Sequence, residues 1–107
     1  MTIGQWDVVV LALPYGQSVD PRPCIVVEPP ARDGSLCVIP LSSHLELSQE
    51  WRDFQFHPGQ PDFKATGLRR ASYANGSEIH RTRGEVQKKL GRLEGQLLRA
   101  FRDWAGA

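Results

Sequence analysis

Arg22 stands between Pro21 and Pro23. A guanidinium held by two stiff neighbours suits phosphate: it presents a planar fork of donors and keeps its charge at any working pH. The plainer alternative is a surface arginine at a strand edge. Ser42 and Ser43 close an apolar run, where a hydroxyl either faces a pocket and donates to a phosphate oxygen or does ordinary turn chemistry. His44 follows, and histidine is the side chain that exchanges protons near neutral pH. Asp20, two residues before Arg22, is a second candidate proton acceptor, or a turn-forming aspartate. From Arg69 to Arg102 there are nine Lys and Arg against three Asp and Glu, with Arg69, Arg70, Arg81 and Arg83 close together. That excess makes either a basic face for a polyanion or a solvated surface.

Cys24 and Cys37 lie inside apolar runs without metal-ligand spacing. They read as buried free thiols rather than as a metal site or a disulfide. No metal and no cofactor is expected.

The elements that must position these residues are mostly strands. Trp6–Leu13 is Val- and Leu-rich and stops at Pro14-Tyr15-Gly16; Gly16–Pro23 reads as an exposed loop. The chain resumes over Cys24–Glu28, turns at Asp33-Gly34 and continues over Leu36–Leu41, which predicts three consecutive antiparallel strands. Phe54 and Phe56 alternate with polar residues as a half-buried strand does. Leu68–Ala74 and Ser77–Thr82 are two further strands around Asn75-Gly76, a tight turn or a bulge. Near the C-terminus the period changes. Leu93, Leu97, Phe101 and Trp104 fall within about 80° on a helical wheel turning about 100° per residue. Val86 and Leu90 extend the stripe backwards from a possible capping box at Thr82-x-x-Glu85. Glycines in a helix interior are costly, so a break is expected near Gly91.

With 107 residues, 40 % of them hydrophobic, the chain suits one domain spanning 1–107 and is not of the disordered class. The longest apolar run, Val8–Pro14, is too short for a membrane span, and no basic n-region precedes it. A cytoplasmic protein without membrane association is expected. The formal net charge of +1 announces no polyanion partner for the molecule as a whole.

Five ordered segments narrow the reading. Trp6-Asp7-Val8-Val9-Val10 ending at Pro14 resembles the opening "GDVV…P" strand of the MazF/PemK (Kid) toxins, with Trp6 in the place of the glycine. Arg22-Pro23 entering an apolar strand resembles their "RP-lVl" signature, and Ile39-Pro40-Leu41-Ser42-Ser43 the strand end that carries a Thr/Ser pair. Thr66-Gly67-Leu68-Arg69-Arg70-Ala71-Ser72 is similar to the later "GL" segment, and Lys89-Leu90-Gly91-Arg92-Leu93 to the PemK-like ending. The resemblance implies a mainly β, SH3-like small β-barrel with a C-terminal α-helix, normally a homodimer. It implies a metal-independent endoribonuclease of a type II toxin–antitoxin system, cleaving single-stranded mRNA by attack of the ribose 2′-OH on the adjacent phosphate. Such a reaction needs a base, an acid and donors for the phosphoryl oxygens.

Carried onto this chain, the resemblance assigns the reaction to Arg22, Ser42 and Arg70 and RNA contact to Gln17, Ser43, Arg69 and Ser72; Asp20, at a different offset, or His44 stands in to move protons. Arg69 replaces Arg70 if the register slips by one. Besides Trp6, the chain departs from the pattern at Gln17, where many members carry glutamate, at Gly16, where some carry histidine, and at Ser72, where Kid-like members carry an acidic residue. Neither Gln17 nor Ser72 takes up a proton as a carboxylate does. Two alternatives therefore stand beside the nuclease. One is a relative that binds RNA or antitoxin without cutting. The other is a CcdB-like gyrase-binding toxin using Trp104 near the C-terminus. A cognate antitoxin with an acidic, apolar tail is the expected protein partner.

Overall fold

The structure, a computed structural model, describes residues 2–13 and 21–106. Seven strands and one helix follow in order: β1 (Asp7–Ala12), β2 (Pro21–Val26), β3 (Leu36–Ser42), β4 (Phe54–Phe56), β5 (Ser72–Ala74), β6 (His80–Thr82), β7 (Val86–Arg92) and α1 (Gly95–Ala105). Every pairing is antiparallel. The sheet runs β4-β5-β3-β2-β1-β7, with β6 also on β3.

The expected meander of β1, β2 and β3 is present, with β2 longer than its apolar run. Pro21 and Pro23 pair only with β1, opposite Ala12 and Val10, and pairing to β3 begins at Cys24. Residues without an N–H thus sit where β2 has one neighbour rather than two. At the β2–β3 turn, Gly34 takes φ 85° and the Asp33 carboxylate accepts the Ser35 amide at 2.9 Å.

Asn75-Gly76 does not make a hairpin. β5 pairs with the end of β3 (Leu41↔Ala74) and β6 with its start (Leu36↔Thr82), so the chain crosses from one end of β3 to the other. The strand expected over Leu68–Ala74 begins only at Ser72; the chain leaves a 3-10 turn over Lys64–Thr66 through a left-handed Gly67, and 68–71 join no strand.

The backward extension of the helix is corrected. Val86–Leu90 belong to β7, and Thr82 closes β6, its hydroxyl accepting the Gly84 amide at 2.9 Å instead of capping a helix. The break falls between Arg92 and Gly95. There the Asp62 carboxylate accepts the Gln96 amide at 2.8 Å, an acidic group at a helix start. A side chain at Gly95 (φ 58°) would collide with that carboxylate.

Strand alternation sorts the apolar residues into two cores. Val8, Ile25, Ile39 and Leu41 meet Phe56, Phe63, Leu97 and Phe101 under α1; Val9, Leu11, Cys24, Val26 and Val38 form the cluster of the opposite face. Trp6 adopts φ 73°, a left-handed backbone that glycine enters freely and tryptophan at a cost. Its ring packs edge-on against Phe101, and its main chain bonds Val26 and Leu93.

Asp53 ties β4 to the β5–β6 crossing. It is 6 % exposed and accepts the amides of Gln49 (2.8 Å) and Gly76 (3.0 Å) and the Arg52 guanidinium (2.8 Å). Burial alone would raise its carboxyl; the Arg52 bond and the two amides outweigh burial and hold it below the usual carboxylate range. A folded-state value below that of the unfolded chain stabilises the fold above the unfolded carboxylate's titration near about pH 4, and the gain is lost as pH falls through the lower folded value. Asp53→Asn is expected to cost about 2 kcal/mol at pH 7. The difference between wild-type and variant unfolding free energies should shrink towards pH 2. A difference that is flat across that range would disprove the role.

Candidate functional site

On the α1 side of the sheet, Val8 lies under the helix cluster. Val10, two residues on and on the same face, is half-buried and lines a cavity of about 460 Å³ instead. The floor is apolar: Val10 from β1, Pro23 from β2, Leu41 from β3, Leu68 and Leu90. The rim is cationic, with Arg22, Arg69, Arg70 and Lys88, and carries the hydroxyls of Ser43 and Ser72 beside His44. Among the described residues that line it there is no carboxylate.

Two glycines bring the Leu68–Arg70 segment over this floor. The 3-10 turn lies so close on β7 that a side chain at Gly67 would meet the Leu90 carbonyl, and one at Gly91 the Ala65 carbonyl. The Thr66 hydroxyl donates to the Phe63 carbonyl at 2.6 Å and accepts the Leu68 amide at 3.1 Å, which fixes the exit from the turn. Thus the segments around Gly67-Leu68 and Leu90-Gly91, far apart in sequence, interlock.

Of the residues nominated from sequence, Arg22, Ser43, His44, Arg69, Arg70 and Ser72 line the one cavity. Ser42 does not. It points to the other face from Leu41, and its hydroxyl accepts the His44 amide at 3.1 Å, so it shapes the turn that carries Ser43 and His44. Asp20 and Gln17 lie outside the described residues. His44 is exposed, with Nδ1 3.3 Å from the Glu46 carboxylate. Ser72 is buried and donates to the Arg70 carbonyl at 3.1 Å, bracing the backbone of that arginine.

Arg22 borders the cavity in an unforeseen way. Its register partner is Leu11, so alternation directs its Cβ towards the Leu11/Cys24 face, while Pro21 and Pro23 face the cavity. Burial pushes the Cys24 thiol up to about 12, against a smaller downward pull from the Arg22 charge. Cys24 is therefore an inert core thiol, and it and Cys37 are both free.

Lys88 is the residue that sequence reasoning missed. It sits opposite Val10, which in turn sits opposite Pro23, in one row across three strands. Among the described residues no carboxylate pairs with Lys88, Arg69 or Arg70, whereas Lys89 bridges to buried Asp7 at 3.2 Å. Nothing in the spacing of Lys88-Lys89 separates the two; only strand register does. Among the described residues, no helix is long and apolar enough to cross a membrane. Comparison with models of known protein families and with curated proteins gave no match.

Proposed function

We propose that this chain is a MazF/PemK-like toxin: an SH3-like small barrel that binds single-stranded RNA in the cationic cavity and cleaves it without a metal. One observation carries the reading. Four segments distant in sequence, around Arg22-Pro23, Ser43-His44, Gly67–Arg70 and Lys88–Leu90, line one recess with four cations and no described carboxylate. Such a recess favours a phosphodiester electrostatically, and its apolar floor favours the attached nucleoside. The left-handed backbone of Trp6, at the position where the resemblance has glycine, adds independent support.

In the proposed reaction the 2′-oxygen loses its proton and bonds to phosphorus while the 5′-oxygen leaves and is protonated. The products are a 2′,3′-cyclic phosphate and a 5′-hydroxyl. The arginines hold the charge that grows on the phosphoryl oxygens, and Ser43 donates a further hydrogen bond. Of the described cavity residues, His44 carries the imidazole, a group that can both accept and donate a proton. An acidic, apolar antitoxin segment would cover the same recess, and the working unit would be a homodimer in the cytoplasm.

A second reading, binding without cutting, is favoured by Ser72, whose hydroxyl is committed to the Arg70 carbonyl where a nuclease relative has a carboxylate. The gyrase-binding alternative draws no support from Trp104. Its ring packs at a tilt against Phe101, centroids 5.2 Å apart, and its indole N–H donates to the Arg52 carbonyl at 2.9 Å, so it is committed to the fold.

Incubating the purified chain in EDTA with a mixed-sequence single-stranded RNA tests the proposal. Discrete cuts with cyclic or 3′-phosphate ends are expected. Intact RNA that nonetheless binds with steep salt dependence would establish the non-cutting reading. Intact RNA without binding would refute both.

A further inference from the structure

We propose that Lys88 holds the phosphate adjacent to the one held by Arg70, the nucleoside between them lying on Leu41, Leu68 and Leu90; this rests on the RNA reading above. Three features of β7 point to it. Register irregularities flank the Lys88–Lys89 pair, between Val8 and Val9 and between Val10 and Leu11 of β1, while the pair itself lies in regular register with Val10 and Val9. Alternation there sends the two lysines to opposite faces: Lys89 to Asp7, and Lys88 to the cavity. Lys88 is also exposed and has no ion-pair partner among the described residues.

Dimensions argue for two phosphates rather than one. Lys88 is on β7 and Pro23 on β2, with β1 between, a separation of two strand spacings or about 9.5 Å between backbones. Arg69 and Arg70 enter from the loop after the 3-10 turn. Cations thus enter the recess, about 460 Å³ and in the range of small-ligand sites, from a strand and from a loop. A single phosphate leaves the apolar floor in water, whereas a nucleoside flanked by two phosphates covers it and offers a charge to each segment. A free polyphosphate has the charge and lacks the apolar body.

The test is binding of a five-residue, 2′-O-methyl single-stranded RNA, which lacks the attacking hydroxyl, at a series of salt concentrations. In log–log form the slope reports phosphates neutralised, about 0.7 per contact for a single strand. Lys88→Gln is expected to reduce that slope by about 0.7, Lys88→Arg to retain it, and Arg99→Gln, on the exposed face of α1, to leave it unchanged. An oligonucleotide with an abasic centre is expected to bind at least about tenfold more weakly, a hydrophobic contact being worth that much or more. Wild type that binds RNA while Lys88→Gln keeps the full slope would overturn the assignment of Lys88 alone. Equal binding of the abasic oligonucleotide would overturn the placement of the nucleoside. Wild type that binds no RNA would overturn the functional reading and this inference together.

Discussion

Phe101→Ala is expected to lower the unfolding free energy by about 3–5 kcal/mol, the range for removing a large aromatic ring from a filled core. The ring is fully buried, with its centroid 5.3 Å from that of Phe54, 5.8 Å from Phe56, 5.2 Å from Trp104 and 6.0 Å from Trp6. Four rings from β4, the N-terminal turn and α1 itself cannot all collapse into the space left, so the cavity persists and its lining loses dispersion contacts. The variant should unfold at lower urea with an unchanged denaturant slope, followed by tryptophan fluorescence. Leu41 of the same cluster also lines the cationic cavity, and Leu68 and Leu90 pack against that cluster. The loss should therefore reach ligand binding as well. A destabilisation under about 1 kcal/mol would mean that the aromatic cluster relaxes to fill the gap.

The helix was legible because three of its apolar residues, Leu97, Phe101 and Trp104, recur at helical spacing and are the ones the sheet covers. The first three strands were legible for a similar reason: Asp33-Gly34 marks a turn in which Gly34 takes a left-handed backbone. Val86 and Leu90 misled because a four-residue spacing is what both a helix face and an alternating strand produce. In β7 they lie on opposite faces of the sheet, Val86 on the Val9 cluster and Leu90 on the Val8 cluster, since the register shift between Val86 and Lys88 resets the alternation once. A bulge is a property of two strands in register, and no periodicity within one segment announces it. The same cause hid Lys88. Read as helix, Lys88-Lys89 is a solvated face; read in register, one lysine forms an ion pair on one side of the sheet and the other stands in the recess. Arg22, Ser43 and Arg70 were legible as short motifs, yet the motif does not say on which face of β2 Arg22 begins. Ser42 shows a further limit. Its neighbour Ser43 has the same side chain, and only the alternation of β3 decides which hydroxyl faces the recess.

If the recess is a nuclease site, Arg70→Ala should slow RNA cleavage by about 10²–10³-fold, the loss that follows removal of one donor to a developing oxyanion. Arg70 is exposed and makes no side-chain bond among the described residues, so the fold should keep its stability to within about 0.5 kcal/mol and the loss can be read as chemistry. Arg70→Lys should recover only part of the rate, because an ammonium keeps the charge and forfeits the planar fork. Arg22→Ala makes the informative comparison. Its Cβ starts towards the opposite face, so its guanidinium must pass the end of β2 to reach the phosphate that Arg70 meets from the loop. Should both contact one phosphoryl group, the double variant will lose much less than the product of the single losses, since groups acting as a unit are non-additive. Should each serve a different phosphate, the losses multiply, and the salt slope falls by about 0.7 for each arginine removed. Single-turnover cleavage separates the two cases, and a loss below about threefold in Arg70→Ala would remove that residue from the reaction altogether.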